Sequence, residues 1–395
     1  YYQLLLRTNT VILYDDLPKG NNKPLSPESE CWDFVEQDIN FAIENLPVQW
    51  ESAYRGRITK GAAYAMKSRA MLVAKRWNKS REAALEAINI KDESGALMYE
   101  LNKSYKQAFS SYFSGNKESI LEFRYKDPAP YHTFDRDFAP AGDWVNNGGK
   151  AAPTQEMIEE YELTTGGKPD WSKWRNKTTE TPPYELLEPR FHASILYNGA
   201  PWKGRRIETF VGGRDGYVEY GFQANTFGRT VTGYYLRKYL DESIADISTQ
   251  YSFQPWIEIR LAEVYLNLAE ACAMLGASFE AEANDAIRKI RGRVNLPYAN
   301  LTGQLLLDAI KQERKVELAF EGFYYWDLRR WREAHIKLDG VRFHGMKITK
   351  EEDILTYEYA DCDKDDRKFP ERFYNFPIPP AEIANNLEVS QISGW

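Results

Sequence analysis

The chain has 395 residues, enough to bury a large core, and its 43% hydrophobic and 28% charged residues are typical of a folded protein. Its 58 acidic residues outnumber its 51 basic ones, which gives a net charge of −7. This balance disfavours a nucleic-acid partner, because phosphate binding needs a positive surface.

The first ten residues, YYQLLLRTNT, contain no starting Met, no basic region and no small-residue cleavage site, so they do not predict a signal peptide. Residues 1–6 instead indicate the end of a helix. We therefore expect a further N-terminal segment, with any targeting or anchoring signal, to precede them. No run of about 18 apolar residues predicts a membrane-spanning helix.

Residues 24–92 predict three helices, at 26–46 and near 60–77 and 80–90. In the first helix, Pro27 suits the first helical position and Glu28 and Glu30 favour the positive end of the helix dipole. Apolar residues then recur at helical spacing until Pro47.

A second helical block is predicted at 256–334. An apolar face at 257–275, a break at Gly276 and another apolar face at 279–290 indicate a helical hairpin. At an offset of 199 residues, alanines of the first block coincide with alanines of the second, as in the pairs Ala84 with Ala283 and Ala87 with Ala286. Small residues there allow close helix approach, as tetratricopeptide-like helix pairs require.

The chain between the helical blocks has a different character. Residues 119–125, SILEFRY, alternate like a strand, and 126–241 are rich in Gly, Pro, Asn, Trp and Tyr, with one short helical pattern at 154–162. The tail at 337–395 is also predicted to be irregular. The 26 Tyr, 19 Phe and 11 Trp exceed what a core of this size needs, so some rings are expected to face water or a ligand.

Catalytic and metal-binding patterns are missing from the sequence. The three cysteines lie far apart, and the four histidines, at 132, 192, 335 and 344, lack metal-ligand spacing. No hydrolase, metalloprotease or P-loop motif occurs. We therefore predict that the protein is not an enzyme, although paired carboxylates of a glycosidase cannot be recognised from sequence spacing.

An acidic turn near the C-terminus is the only local pattern that suggests a cation. Asp361, Asp363 and Asp365 are spaced like the start of a calcium loop, but Asp366 and Arg372 replace the Gly and Glu that an EF-hand needs. A solvated acidic turn is therefore favoured. A structural calcium ion remains the alternative, and no other cofactor is predicted.

Residues 312–331, QERKVELAFEGFYYWDLRRW, combine acids, bases and aromatic rings in a small space. Glu313, Glu317 and Glu321 form one acidic stripe on the predicted helix, which Gly322 ends. Such a stripe beside Arg314 and the arginines at 329 and 330 is more often a structural ion-pair network than an active site. We therefore predict a structural role for this stretch.

The order of several motifs resembles the SusD/RagB family of nutrient-binding lipoproteins from Bacteroidetes. The motifs are RLAEVYLNLAEA at 260–271, IRKIR at 287–291, the 312–331 stretch, FPIPPAEI at 376–383 and the terminal SGW. The resemblance extends over essentially the whole chain.

The resemblance implies a mostly α fold in a single domain over 1–395. It has a tetratricopeptide-like helix-pair scaffold at about 1–118 and 256–334, a loop-rich ligand region with short strands at about 119–255, and an irregular tail at 335–395. It also implies a lipid-anchored protein on the extracellular face of the outer membrane. Such a protein binds an oligosaccharide and delivers it to a SusC-like TonB-dependent transporter.

Sugars bind by stacking on exposed rings while their hydroxyls meet planar polar side chains. In the irregular region this combination predicts the following ligand-binding residues: Tyr131, Trp144, Asn146, Trp171, Trp174 and Trp202. The alternative for each ring is that it fills the gap between loops and helices. Four other tryptophans, at 77, 256, 326 and 331, lie in helical patterns and are assigned to the core.

Three other functions are left open by the sequence. The protein could bind a peptide or another nutrient in the same transporter system, or degrade glycans. It could also be a pure tetratricopeptide scaffold, but such a scaffold would bind its partner on the helices, whereas the unexplained aromatic residues lie in the irregular region.

Overall fold

The computed structural model describes residues 1–14, 22–111, 114–144, 148–219 and 228–395. Its α-helices are α1 (Tyr2–Thr8), α2 (Glu28–Asn45), α3 (Lys60–Val73), α4 (Trp77–Asn89), α5 (Phe134–Phe138), α6 (Gln155–Ile158), α7 (Pro189–Ser194), α8 (Leu261–Leu275), α9 (Glu280–Arg293), α10 (Gly303–Glu317), α11 (Tyr324–Arg330), α12 (Ala334–Lys337) and α13 (Pro380–Asn385). Its β-strands are β1 (Ser119–Phe123), β2 (Ile195–Leu196), β3 (Pro201–Trp202), β4 (Arg205–Arg206), β5 (Tyr235–Leu236), β6 (Trp256–Arg260), β7 (His344–Glu351) and β8 (Ile354–Asp361).

The two predicted helix pairs form one scaffold. Helix α3 packs on α4, α4 packs on α8, and α8 packs on α9. Their shared core is rich in alanine, including Ala84, Ala87, Ala283 and Ala286. Ser68 and Asn267, which are 199 residues apart, meet across the two pairs, and the Asn267 amide donates to Ser68 Oγ at 3.1 Å. The repeat seen in the sequence is thus a contact between equivalent positions.

Local signals explain where these helices begin and end. The Thr59 hydroxyl accepts a hydrogen bond from the Ala62 N–H at 3.3 Å and caps α3. Gly276 follows α8 with φ of +95°, a conformation that glycine adopts without steric cost. The sequence placed Trp77 at the end of one helix, but it is the first residue of α4.

Residues 256–260 form a strand and not the start of a helix as predicted. Strand β6 pairs antiparallel with β1, and Arg260 is still extended where α8 begins. No Gly or Pro separates β6 from α8, so the predicted helix was extended too far towards the N-terminus. Of the tryptophans assigned to the core, Trp256 therefore lies on a strand, and all four are only half-buried.

The tail is not wholly irregular, because β7 and β8 pair over eight residues each. Met346 and Ile348 of β7 and Tyr357 of β8 are buried in a second core with residues of the region before β6. Alternation of buried and exposed side chains, as in β7, is the usual pattern of a strand with one covered face. The prediction of an irregular tail was therefore wrong for 344–361.

This second core holds the loop-rich region together. It contains three of the four tryptophans of 119–255, and short segments such as α7, β2 and β5 supply further side chains. The short predicted helix at 154–162 is confirmed only at 155–158. Aromatic packing, with little regular structure, therefore organises the middle of the chain.

Candidate functional site

The acidic stripe of α10 lies at the centre of a buried ion-pair network. Glu317 is fully buried and meets Arg260 at 2.6 Å, Arg190 at 3.2 Å and Arg293. Glu313 pairs with Arg190 and Arg291. These arginines come from α7, from the end of β6 and from α9, so the network joins the scaffold to the loop-rich region.

The arginines beside the stripe in sequence have other partners. Arg314 pairs with Asp327 at 3.1 Å, and Arg330 pairs with both Asp327 and Glu270. The sequence therefore identified the acids but not their partners. Although burial by itself raises the pKa of Glu317, the three arginines around it hold that pKa well below its usual range.

The acids of the network are paired with cations of the same network. Glu321 binds Arg260 and Lys238, each at 2.7 Å. Each acid of the stripe is thus bound to at least two cations. This arrangement agrees with the structural role predicted for residues 312–331.

Three of the predicted ligand-binding tryptophans are buried in the second core. Trp171, Trp174 and Trp202 are 2–7% exposed. The indole of Trp174 donates to the Glu180 carbonyl at 2.7 Å, and that of Trp202 donates to Asp143 at 2.8 Å. These rings fill the space between loops, which is the alternative that the sequence left open, and they present almost no face to a ligand.

Two other predicted residues lie together on an aromatic ridge, which we define as Tyr131, Arg136, Trp144 and Tyr251. Tyr131 is exposed and stacks on Tyr251 with 3.7 Å between ring centroids. The Arg136 guanidinium lies 4.4 Å from the centroid of Tyr251 and 5.8 Å from that of Trp144. The sixth predicted residue, Asn146, lies outside the described residues.

An aromatic cleft of about 260 Å³ opens beside this ridge. We define the aromatic cleft by the residues that line it: Tyr125, His132, Thr133, Phe134, Asp137, Phe138, Tyr239, Gln254, Pro255 and Trp256. Its volume is slightly below the usual range for small-molecule pockets. It combines six aromatic or imidazole rings with three polar side chains, which is the composition expected of a sugar site.

Local geometry separates the cleft from the ridge. His132 and Ser252 form an antiparallel bridge, with 3.1 Å from His132 N to Ser252 O and 3.0 Å from Ser252 N to His132 O. This bridge brings the segment at 125–138 against residues 251–256, where β6 begins. In α5, residues 134, 137 and 138 share one helical face and line the cleft, while Arg136 points away from it towards the ridge.

The rings of the cleft are held by one another. Tyr239 stacks on Trp256 with 5.0 Å between centroids, and Tyr125 meets His132 edge to face at 4.4 Å. His132 is fixed further by a 2.9 Å contact between its Nε2 and the Gln254 carbonyl. The cleft is thus formed before any ligand arrives, which reduces the entropy cost of binding.

Polar groups at the cleft differ in how far they are satisfied. Asp137 accepts from Thr133 at 2.8 Å and also pairs with Lys150. In the described part of the chain, the buried hydroxyl of Tyr239 and the Oε1 atom of Gln254 have no hydrogen-bond partner. Leaving a buried polar atom without a hydrogen bond costs the folded protein about 1–3 kcal/mol of free energy. A ligand that hydrogen-bonded to these two atoms would therefore bind more tightly.

Comparison with known proteins decides the family. The model of the SusD family matches residues 110–395. The chain belongs to the SusD family. A SusD-like protein of Bacteroides ovatus is 24% identical over 344 residues, which cover 84% of this chain and 56% of that protein. The chain thus spans about half the length of this curated relative.

Solved structures of SusD-like proteins share the fold. One from Bacteroides fragilis is 28% identical, with a TM-score of 0.83, and the match covers 100% of this chain and 77% of that one. A second, described as a SusD-like carbohydrate binding protein from Bacteroides fragilis, is 23% identical with a TM-score of 0.80. The match covers 99% of this chain and 77% of that one. The mostly α, SusD-like fold class is confirmed.

The acidic turn near the C-terminus of this SusD-family chain is engaged by basic side chains. Arg342 meets Asp361 at 3.1 Å and Asp366 at 2.8 Å, while Arg367 meets Asp363. Within the described ranges, no group of three or more His, Cys, Asp or Glu could hold a metal ion. A structural calcium ion stays an untested prediction. No helix in the same ranges is long and apolar enough to cross a membrane.

None of the described residues predicted to bind a ligand lines the aromatic cleft of this family member. The prediction selected tryptophans that adjoin Asn or Asp, whereas the cleft uses Tyr125, Phe134, Tyr239 and Trp256. Six of the ten lining residues fall within 125–138, and that density of rings in a loop was a usable signal. The contribution of 239–256 depends on tertiary contacts and had no local signal.

Proposed function

We propose that this protein binds an oligosaccharide in the aromatic cleft. The observation that carries the proposal is a preformed cleft in which the half-buried rings of Tyr125 and Trp256 flank polar side chains. Sugar C–H faces stack on such rings, and hydroxyls can meet Thr133, Asp137 and Gln254. The SusD-like carbohydrate binding protein of matching fold supports the same class of ligand.

The proposal extends to the transport system that the family resemblance implies. The protein would lie on the extracellular face of the outer membrane through an N-terminal lipid anchor and would deliver the glycan to a SusC-like TonB-dependent transporter. Co-purification of that transporter with the full-length protein tests this part. Peptide binding in the same system is the main alternative.

We also propose that the protein is not an enzyme. Of the residues that the structure describes, Asp137 is the only carboxylate that lines the cleft, and Lys150 and Thr133 already bind it. A glycosidase of the usual kind needs two carboxyl groups on opposite sides of the scissile bond. The cleft therefore offers recognition without a pair of catalytic acids.

Calorimetric titration against plant, host and microbial oligosaccharides tests the proposal, with reducing-end release measured on the same mixtures. We expect saturable heat for one class of glycan and no new reducing ends. Product formation would overturn the non-enzyme part. The absence of heat across all glycans, together with binding of peptides, would favour the alternative ligand.

The aromatic ridge is the competing location on the same chain. Tyr131→Ala and Trp144→Ala remove its two predicted ligand-binding rings, whereas Tyr125→Ala removes a ring of the cleft. We expect the Tyr125 variant to weaken binding more than either ridge variant. The reverse order, with unchanged melting temperatures, would move the site to the ridge.

A further inference from the structure

A basic groove lies on the surface of this otherwise acidic protein. It consists of two adjoining hollows of about 730 and 430 Å³, both of which are lined by Arg237. We define the basic groove by its main cations: Lys103, Lys106, Lys203, Arg205, Arg206 and Arg237. Among the described residues, Glu242 is the only carboxylate side chain that lines either hollow.

The cations of the groove are not all neutralised by neighbouring acids. Glu242 is shared by Lys106 at 2.6 Å and Arg237 at 3.0 Å. Lys103 and Arg206 are both exposed, and neither forms an ion pair with any acid of the described chain. Arg206 donates to the Gly199 carbonyl at 2.6 Å. Positive charge is therefore left available to a ligand.

Part of the groove is rigidly built. Arg205 meets Asp215 at 2.7 Å and Asp143 at 2.8 Å, and the Asp215 side chain is fully buried. These ion pairs fix the β3–β4 turn that carries Lys203 and Arg206. Lys203 is itself held by Asp143 at 3.5 Å, whereas Arg206 is exposed and extends from this fixed backbone. A fixed backbone limits the entropy lost when Arg206 binds an anion.

We propose that the basic groove binds the anionic substituents of a glycan, either sulfate esters or uronate carboxylates. The proposal rests on the proposed glycan function and narrows its substrate class. Guanidinium groups bind carboxylate and sulfate oxygens through paired, charge-assisted hydrogen bonds. A local excess of positive charge on a protein of net charge −7 attracts such a ligand while the remaining surface repels it.

The groove is placed to share one ligand with the aromatic cleft. Tyr105 lines the groove and Tyr239 lines the cleft, and Phe109 lies between them with 5.1 Å to the ring centroid of each. Lys203 donates to the Ile244 carbonyl at 2.9 Å, and Ile244 belongs to a small buried cluster on which Trp144 of the ridge packs. A glycan that extends past this apolar cluster would present its acidic groups to the cations.

Titration with three tetrasaccharides tests the proposal: a chondroitin sulfate, an oligogalacturonate and neutral cellotetraose. We expect at least one anionic probe to bind about ten-fold more tightly than cellotetraose at low salt, because hydrogen bonds between charged groups exceed neutral ones in strength. The doubly substituted variant Lys103→Gln, Arg206→Gln should lose that preference. Comparing the two anionic probes identifies the substituent.

A matched control separates the groove from net charge. The pair Lys337→Gln, Lys364→Gln removes the same charge at exposed positions outside the groove, and it should leave the preference unchanged. Equal losses in both double variants would overturn the proposal, as would anionic probes that bind no more tightly than cellotetraose. If an oligoglutamate peptide binds as tightly as the anionic glycans, the proposed ligand of the groove is wrong and an acidic protein segment is the better candidate.

The outcomes also separate this proposal from the proposed function. If cellotetraose or another neutral glycan binds and the anionic probes gain nothing, only the basic groove loses its role. If no glycan of either kind binds, both proposals fail together.

Discussion

Buried charge is the dominant feature at the scale of single residues. Glu270 on α8 is almost fully buried, yet it receives hydrogen bonds from Arg330 at 2.6 Å and from the Trp331 indole at 2.8 Å. Burial raises the pKa of such a group, but Arg330 and Arg314 outweigh it and lower the pKa of Glu270 to about 2. The residue therefore stays ionised in the folded protein.

This lowered pKa predicts a loss of stability in acid. A carboxyl whose folded pKa lies below its unfolded value, here about 2 against 4.5, stabilises the fold above the unfolded pKa. That stabilisation decreases as the pH falls from about 4.5 towards 2. We expect the free energy of unfolding, measured with urea between pH 7 and 3, to decrease once the pH is below about 4.5.

The variant Glu270→Gln isolates this contribution. It should unfold more easily than the wild type at pH 7, because Arg330 loses one of its two charged partners, and its stability should depend less on pH. Glu44→Gln changes an exposed carboxylate on α2 and serves as the control. An unchanged pH dependence in Glu270→Gln would contradict the assignment.

The rings show what the sequence predicts at this scale and what it does not. Composition correctly indicates a surplus of aromatic residues in the loop-rich region, but burial depends on contacts between distant segments. Trp202, for example, is buried because Asp143 and the second core surround it. Tyr131 has the same kind of loop sequence around it and is 44% exposed.

At the scale of elements, the sequence predicts the long helices well because each has a continuous apolar face and clear end signals. The β7–β8 hairpin was missed because its turn contains no glycine and its outer face is rich in Lys and Glu. Glu352 adopts φ of +54° in that turn, a conformation usually given to Gly or Asn. Strand β6 was missed because it continues directly into α8.

The docking of the hairpin depends on a close backbone approach at Gly345. A Cβ atom at this position would lie 2.3 Å from the Thr232 Cα atom, and Met346 N donates to the Thr232 carbonyl at 2.8 Å. We expect Gly345→Ala to lower the free energy of unfolding by about 1–3 kcal/mol, since backbone cannot move aside as a flexible side chain can. Urea denaturation measures this loss.

Gly292 on α9 provides the matched control. A Cβ atom there would meet no other atom within 4 Å, so Gly292→Ala should be neutral or stabilise by about 0.5 kcal/mol through helix propensity. Equal effects of the two substitutions would mean that the hairpin does not pack on the 230–234 segment as described.

At the scale of the whole molecule, two cores are joined by the ion-pair network. The helix-pair core could be predicted from the 199-residue offset, and the family resemblance was confirmed by the match over 110–395. The second core and the aromatic cleft could not be predicted, because they assemble from short segments between residues 125 and 357. The proposed ligand surface therefore lies where the sequence has least periodicity.

This arrangement assigns different tasks to the two parts of the chain. The helices and the network, centred on Glu317 and Arg260, form a scaffold whose charges are used internally. The loops carry the cleft, the ridge and the basic groove, which expose rings and cations to solvent. The proposed recognition groups thus lie in the loops, as is common when a rigid scaffold supports a binding site.

The central claim is that the aromatic cleft binds the glycan, and the dissociation constant of Trp256→Ala tests it most directly. For the tightest oligosaccharide found by titration, we expect this variant to raise the dissociation constant about ten-fold or more, as expected for a central aromatic contact. Phe41→Ala, which removes a 67% exposed ring on α2 outside the cleft, should bind like the wild type. Melting temperatures verify folding, and Tyr125→Ala provides a second cleft variant. Wild-type affinity in both folded cleft variants would contradict the account.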